Sequence, residues 1–137
     1  MKQPVRVALY IRSHTNSQPL VDVQIEQLRN ACLRENKTVA EIYVDHGFSG
    51  RNLDRPSLQR LLTDAATGRF DEVRVIGLHK LSRRMLDLLR LTKTLDSSNV
   101  SIVTENFDSR AALILQQTMA SLKTLMQETT DGHDALC

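Results

Sequence analysis

Six cations stand just beyond stretches that read as strands. Arg12 ends a first apolar run, Arg51 and Arg55 flank a glycine-serine segment, and Lys80, Arg83 and Arg84 follow a third apolar run. Guanidinium groups that converge suit a phosphodiester: the planar fork grips two phosphate oxygens at once and stays charged at any working pH. Beside them are residue types that act as nucleophiles or proton carriers, Ser13 and His14 next to Arg12, and His79 next to Lys80. The plainer reading of the same cations is a solvated surface or structural ion pairs. The elements that carry them decide whether they can meet.

Apolar periodicity gives alternating strands and helices. Val5–Ile11 is β-branched and of strand length, and Arg12–Gln18 is a polar loop closed by Pro19. Val21, Ile25, Leu28 and Cys32 then recur at helical spacing over Leu20–Arg34. A second strand is predicted at Thr38–Val44, and the Asp45–Gly50 segment reads as an irregular loop that uses glycine conformations. Pro56 suits the first turn of a helix bearing Leu58, Leu61 and Leu62, which Gly68 ends. A third strand is predicted at Val73–Ile76, an amphipathic helix at Leu81–Leu95, a fourth strand at Val100–Val103, and a helix from Arg110 to about Glu128. This order implies an α/β fold, a mostly parallel sheet of four to five strands with helices on both faces and a long last helix. Ligands of such sheets bind beyond the carboxyl ends of the strands, where the cations fall.

Composition narrows the function classes. The chain has 137 residues, enough for one core, and its charged and apolar fractions are those of an ordinary globular domain. No apolar stretch approaches the length of a membrane span and no leader precedes the first strand, so a soluble, cytoplasmic protein with no membrane partner is expected. Cys32 and Cys137 lack metal-ligand spacing, and with no Trp, two Tyr and three Phe the chain has no platform for stacking single-stranded bases. There is no glycine-rich dinucleotide fingerprint and no Walker-type phosphate loop. The net charge is +2, with the excess in the first 110 residues, which is compatible with a polyanion partner.

The run Asp45-x-Gly47-x-Ser49-Gly50 followed by Asp54-Arg55-Pro56-x-Leu58-x-x-Leu61, together with Tyr10-x-Arg12, Gln18, Gln24 and Leu81-Ser82-Arg83, resembles the catalytic domain of the serine recombinases, the resolvase and invertase family, over residues 5–128. The resemblance implies DNA strand exchange with no metal and no other cofactor, in which a serine hydroxyl attacks a DNA phosphate and arginines offset the charge developing at phosphorus. It assigns Arg12, Arg55 and Arg83 to active-site positions. The family loop reads Tyr-x-Arg-x-Ser, and His14 stands at the serine's place with Ser13 before it. Side chains alternate along a strand, so Arg12 and His14 are expected to share a side and Ser13 to point away unless a bulge turns it inward.

Further departures fall at His79 and Lys80, where the family has Asp and Arg, and at Met126-Gln127, where it has Glu-Arg. The expectation is a catalytically degenerate, dimerising or regulatory relative of the recombinases. Two alternatives stand beside it: an active domain using Ser13 as nucleophile, and a phosphate-binding domain that reuses the arginine pocket. His14 and His79 end strands that are neighbours in the family's sheet, which raises the further idea of facing imidazoles acting as acid and base or holding a metal ion. Leu115, Met119, Leu122 and Met126 form a narrow apolar seam, and the family dimerises through the corresponding helix, so a homodimer, or a heterodimer with an active relative, is expected. A domain over 1–128 would then be followed by a polar tail, 129–137. The family's separate DNA-binding region has no counterpart in these residues, which leaves weak, salt-sensitive contact with the DNA backbone.

Overall fold

The computed structural model describes residues 3–14, 17–48 and 53–105. Strand β1 (Arg6–Ser13) is buried along its length except at Arg6, as a central strand must be, and it pairs in parallel with β2 (Thr38–His46) and with β3 (Glu72–Val75). Strand β4 (Ser101–Thr104) adds in parallel to β3, and the sheet order is β2-β1-β3-β4. The register of β1 on β2 slips once, between Val7 and Ala8, so that Val7 faces Val39 while Ala8 faces Glu41. Beyond the slip Arg12 lies beside Asp45 and Ser13 beside His46.

Helix α1 (Gln18–Arg34) starts where the Ser17 hydroxyl accepts from the Leu20 amide, with Pro19 in its first turn. Its Val21, Leu28 and Cys32 pack on Val7, Leu9 and Ile11, the odd-numbered residues of β1. Helix α2 (Pro56–Ala66) buries Leu58, Leu61 and Ala65, and helix α3 (Met85–Ser97) buries Leu88, Leu91 and Leu95. The chain leaves β1 toward β2 but leaves β2 and β3 in the opposite sense. Right-handed crossovers therefore put α1 on one face and α2 with α3 on the other. Gly68, at φ +76°, takes the left-handed turn after α2. Among the described residues no helix is long and apolar enough to cross a membrane.

Several expectations need correction at their edges. The first two strands run on to Ser13 and His46, so Arg12 belongs to a strand end and Asp45 to its neighbour, not to loops. The predicted helix over Leu81–Leu95 starts only at Met85, after a 3-10 turn at Leu78–Lys80. Main-chain carbonyls of His79, Lys80 and Leu81 accept from arginine side chains, and oxygens oriented for that purpose do not take up the regular i to i+4 ladder of an α-helix. The third strand is one residue earlier and the fourth one residue later than expected, and α1 starts at Gln18 rather than Leu20. The helix from Arg110, its apolar seam and the 129–137 tail lie outside the described residues.

On the α1 side of the sheet the Arg74 side chain is fully buried. It donates to Glu35 (2.5 and 2.9 Å), to Glu72 (3.1 Å) and to Glu105 (3.1 Å), and Lys37 bridges Glu72 and Glu35 at 2.7 and 3.1 Å. The Arg74 bonds, then Lys37, pull the Glu35 carboxyl from 4.5 down to about 2. A carboxylate held below its unfolded value stabilises the fold above that value, and the contribution drains away as pH falls from about 4.5 toward 2. Glu35→Gln is therefore expected to flatten the acid limb of the stability curve in that window, measured by urea unfolding at stepped pH, while leaving the slope above it unchanged.

Candidate functional site

The crossovers that follow β1 and β3 diverge, which opens a crevice between the carboxyl ends of these two neighbours, the usual ligand position in an open parallel sheet. Arg12 near the end of β1 and His14 just after that strand enter it, as does Gly77–Lys80 from the segment after β3. The Arg12 guanidinium, 1% exposed, is held on three sides by main-chain oxygens: Nε donates to Lys80 O (3.0 Å), Nη2 to His79 O (2.8 Å) and Nη1 to Phe48 O (3.1 Å). Lys80 answers with its ammonium, which donates to Arg12 O at 3.2 Å.

Arg55, at the N-cap of α2 and fully buried, donates from Nη1 to the same Lys80 oxygen (3.0 Å) and to the Tyr10 hydroxyl (3.0 Å), and from Nη2 to Leu81 O. The Tyr10 hydroxyl donates in turn to Asp45 Oδ2 at 2.7 Å. Asp45 closes the chain of bonds by accepting from the Ser57 and Leu58 amides at 2.9 and 3.0 Å. These are the first free N–H groups of α2, so a carboxylate from β2 caps a helix whose own N-cap residue contributes no side-chain bond.

Burial first, then the neighbouring Arg55, lowers the Arg12 guanidinium below its usual value. Burial followed by Arg12 and Arg83 does the same to the Lys80 ammonium, and burial followed by Lys80, Arg12 and Arg83 to the His79 imidazole. The crevice is thus a region of concentrated positive charge. The Tyr10 phenol is pushed the other way, by burial and by its bond to Asp45.

Arg83 behaves unlike the other two arginines expected at the site. It is exposed, and its Nη2 lies 2.9 Å from His14 Nε2, which is also 3.4 Å from Arg12 Nη1. His14 is exposed, whereas Ser13 is 5% exposed and its carbonyl accepts from the Gly47 and Phe48 amides at 2.6 and 3.2 Å. The structure therefore gathers Arg12, Arg55, Arg83, Lys80 and His14 around one crevice, and the imidazole meets two of the guanidinium groups.

His79 contributes its carbonyl to Arg12. Its ring lies over Gly77, where an added Cβ would come within 2.8 Å of the imidazole. Among the described residues no group of three His, Cys, Asp or Glu side chains is placed to hold a metal ion. Ser49, Gly50, Arg51 and Met126-Gln127 lie outside the described residues. The acceptors Phe48 O, Lys80 O and Leu81 O had no signal in the sequence, because every residue carries a carbonyl. Asp45 had one, a carboxylate eleven residues before the helix-opening Pro56, without anything to say that it would cap that helix.

The family description "Resolvase, N terminal domain" matches residues 7–131, nearly the whole chain. The chain belongs to the resolvase N-terminal domain family of serine recombinase catalytic domains. It is 32% identical over 101 residues to a Bacillus subtilis (strain 168) protein described as "Putative DNA recombinase", covering 73% of this chain and 20% of that protein. The chain thus spans about one fifth of that relative's length. The N-terminal catalytic domain of TP901-1 integrase superposes with a TM-score of 0.74 at 29% identity, over 91% of this chain and 98% of that one. A resolvase family site-specific recombinase from Streptococcus pneumoniae shares the fold at a TM-score of 0.66 and 19% identity, over 96% and 97% of the two chains. The mostly parallel α/β sheet expected from the strand and helix order, and the resolvase-like fold implied by the resemblance, are those observed.

Replacing Arg55 with Lys keeps the charge but not the fork that reaches Tyr10, Lys80 and Leu81 together. Arg55→Lys is expected to lower unfolding free energy by about 2–4 kcal/mol, since hydrogen bonds from a charged donor are lost and their buried acceptors left unpaired. Urea unfolding at neutral pH measures it.

Proposed function

We propose that this chain is a catalytically silent member of the serine recombinase family, which meets the DNA backbone at its cationic crevice and acts by pairing with another recombinase subunit. The observation that supports this reading is the His14 imidazole set against Arg12 and Arg83, at the place where the family's strand-cleaving hydroxyl would stand. Phosphoserine chemistry needs a hydroxyl oxygen directed at phosphorus from among the guanidinium groups. Ser13 precedes that place on a strand whose side chains alternate, and its peptide carbonyl is tied to the segment after β2.

Two of the arginines also differ from free phosphate ligands. Arg12 and Arg55 are buried and bonded to carbonyls, so they organise the crevice walls, and Arg83 is the one the solvent reaches. A subunit of this kind contributes its fold and its positive charge to a dimer, through the last helix with a second copy or with an active relative. It acts in the cytoplasm, and no metal or nucleotide enters the reading.

Supercoiled DNA carrying recombinase sites, incubated with the protein and trapped in detergent, tests the proposal. The expected result is no covalent protein–DNA adduct, with Ser13→Ala indistinguishable from the parent. An adduct that Ser13→Ala abolishes would overturn it in favour of a domain using Ser13 as nucleophile. Sedimentation velocity over a range of concentrations is expected to show a monomer–dimer equilibrium.

A further inference from the structure

The contact between His14 and Arg83 has a chemistry of its own. A guanidinium has N–H donors and no acceptor, and two guanidinium nitrogens lie 2.9 and 3.4 Å from one imidazole nitrogen. Nε2 of His14 must therefore present its lone pair to them, which places the ring proton on Nδ1. The ring in this state is a neutral acceptor that engages Arg83 at the solvent-exposed edge of the crevice.

We propose that His14 and Arg83 form a proton-coupled binding site for a phosphodiester oxyanion. An anion arriving at this edge competes with the imidazole for the Arg83 donors, and charge favours the anion. Once Arg83 turns to it, the Nε2 lone pair faces negative charge, an arrangement that one proton from solvent converts into a second donor. Two groups that bind each other then both donate to the ligand. One proton is taken up per anion bound, and no covalent bond is made or broken.

Among the described residues, the charged and titratable groups on the elements that meet this edge are Arg12 on β1, His79 and Lys80 after β3, Asp45 and His46 at the end of β2, and Arg83 before α3, of which Arg12 and Arg83 reach the ring. Arg12 is fixed on the carbonyls of Phe48, His79 and Lys80, and Asp45 is occupied by Tyr10 and the first amides of α2, so neither competes for the proton that the anion brings in. The inference rests on the preceding reading that this crevice meets the DNA backbone, yet it fails separately. A Ser13-dependent adduct would end the catalytically silent part of that reading, with DNA contact kept, and would leave the His14 proposal to be decided by its own test.

The test is histidine-resolved nitrogen NMR on the whole chain at neutral pH, with sulfate as an oxyanion that does not titrate there, and then with oligothymidylate lacking terminal phosphates. The expected result is an unprotonated Nε2 on His14 in the free protein that becomes protonated as either probe saturates. Sulfate affinity is expected to fall by up to about tenfold per pH unit on raising pH through that titration. Arg83→Gln, at an exposed position, should weaken both probes by about tenfold or more. His14→Asn should remove the His14 share of the pH dependence. A proton already on Nε2 in the free protein, a ring that stays neutral at saturation, or unchanged affinity in Arg83→Gln would overturn the proposal. A response to sulfate with none to oligothymidylate would overturn its assignment to nucleic acid.

Discussion

The Lys80 carbonyl accepts from two buried arginines, Arg12 at 3.0 Å and Arg55 at 3.0 Å, and the crevice is organised around that oxygen. Removing a guanidinium from water is costly unless its donors are satisfied, and here main-chain oxygens of Phe48, His79, Lys80 and Leu81 do most of the work. Among the described residues Arg12 bonds to main-chain oxygens rather than to a carboxylate. The arrangement fixes three segments that follow different strands while leaving the region electropositive. Rigidity and charge come from the same bonds.

The second axis of the site runs from Arg55 through the Tyr10 hydroxyl to Asp45 and into the amide groups that open α2. Each member satisfies the next, which is the condition under which a buried polar network holds a single geometry. It also explains the exposed pair. With Arg12 and Arg55 tied into the walls, Arg83 and His14 meet each other where the crevice opens to solvent. The opposite face shows the same strategy with carboxylates: Arg74, fully buried, is surrounded by Glu35, Glu72 and Glu105.

Much of the fold was legible because apolar spacing reports burial directly. Val7, Leu9 and Ile11 alternate against α1, and Leu58, Leu61 and Ala65 recur at helical intervals. The late start of α3 was not legible, since the competing partners of its first carbonyls are arginines distant in sequence. At the site, the gathering of Arg12, Arg55 and Arg83 could be anticipated from motif and topology together. Their division into two wall arginines and one exposed arginine could not, because burial of a polar side chain depends on acceptors that leave no trace in residue type. Arg74 shows the same limit: a charge in the middle of a four-residue strand carries no sequence mark of the three glutamates that surround it.

The slip between Val7 and Ala8 has a consequence for how this domain tolerates change. Ala40 is the extra residue that lets β2 advance by one, and every pairing downstream inherits the offset, including Arg12 with Asp45. Without it Val44 would lie beside Arg12, and the capping carboxylate would lie one step along, beside Ser13 and turned to the other side of the sheet. The far end of the sheet thus acts as a vernier for the crevice: an insertion or deletion in that short stretch would be felt five residues away, where Asp45 meets Tyr10 and the start of α2.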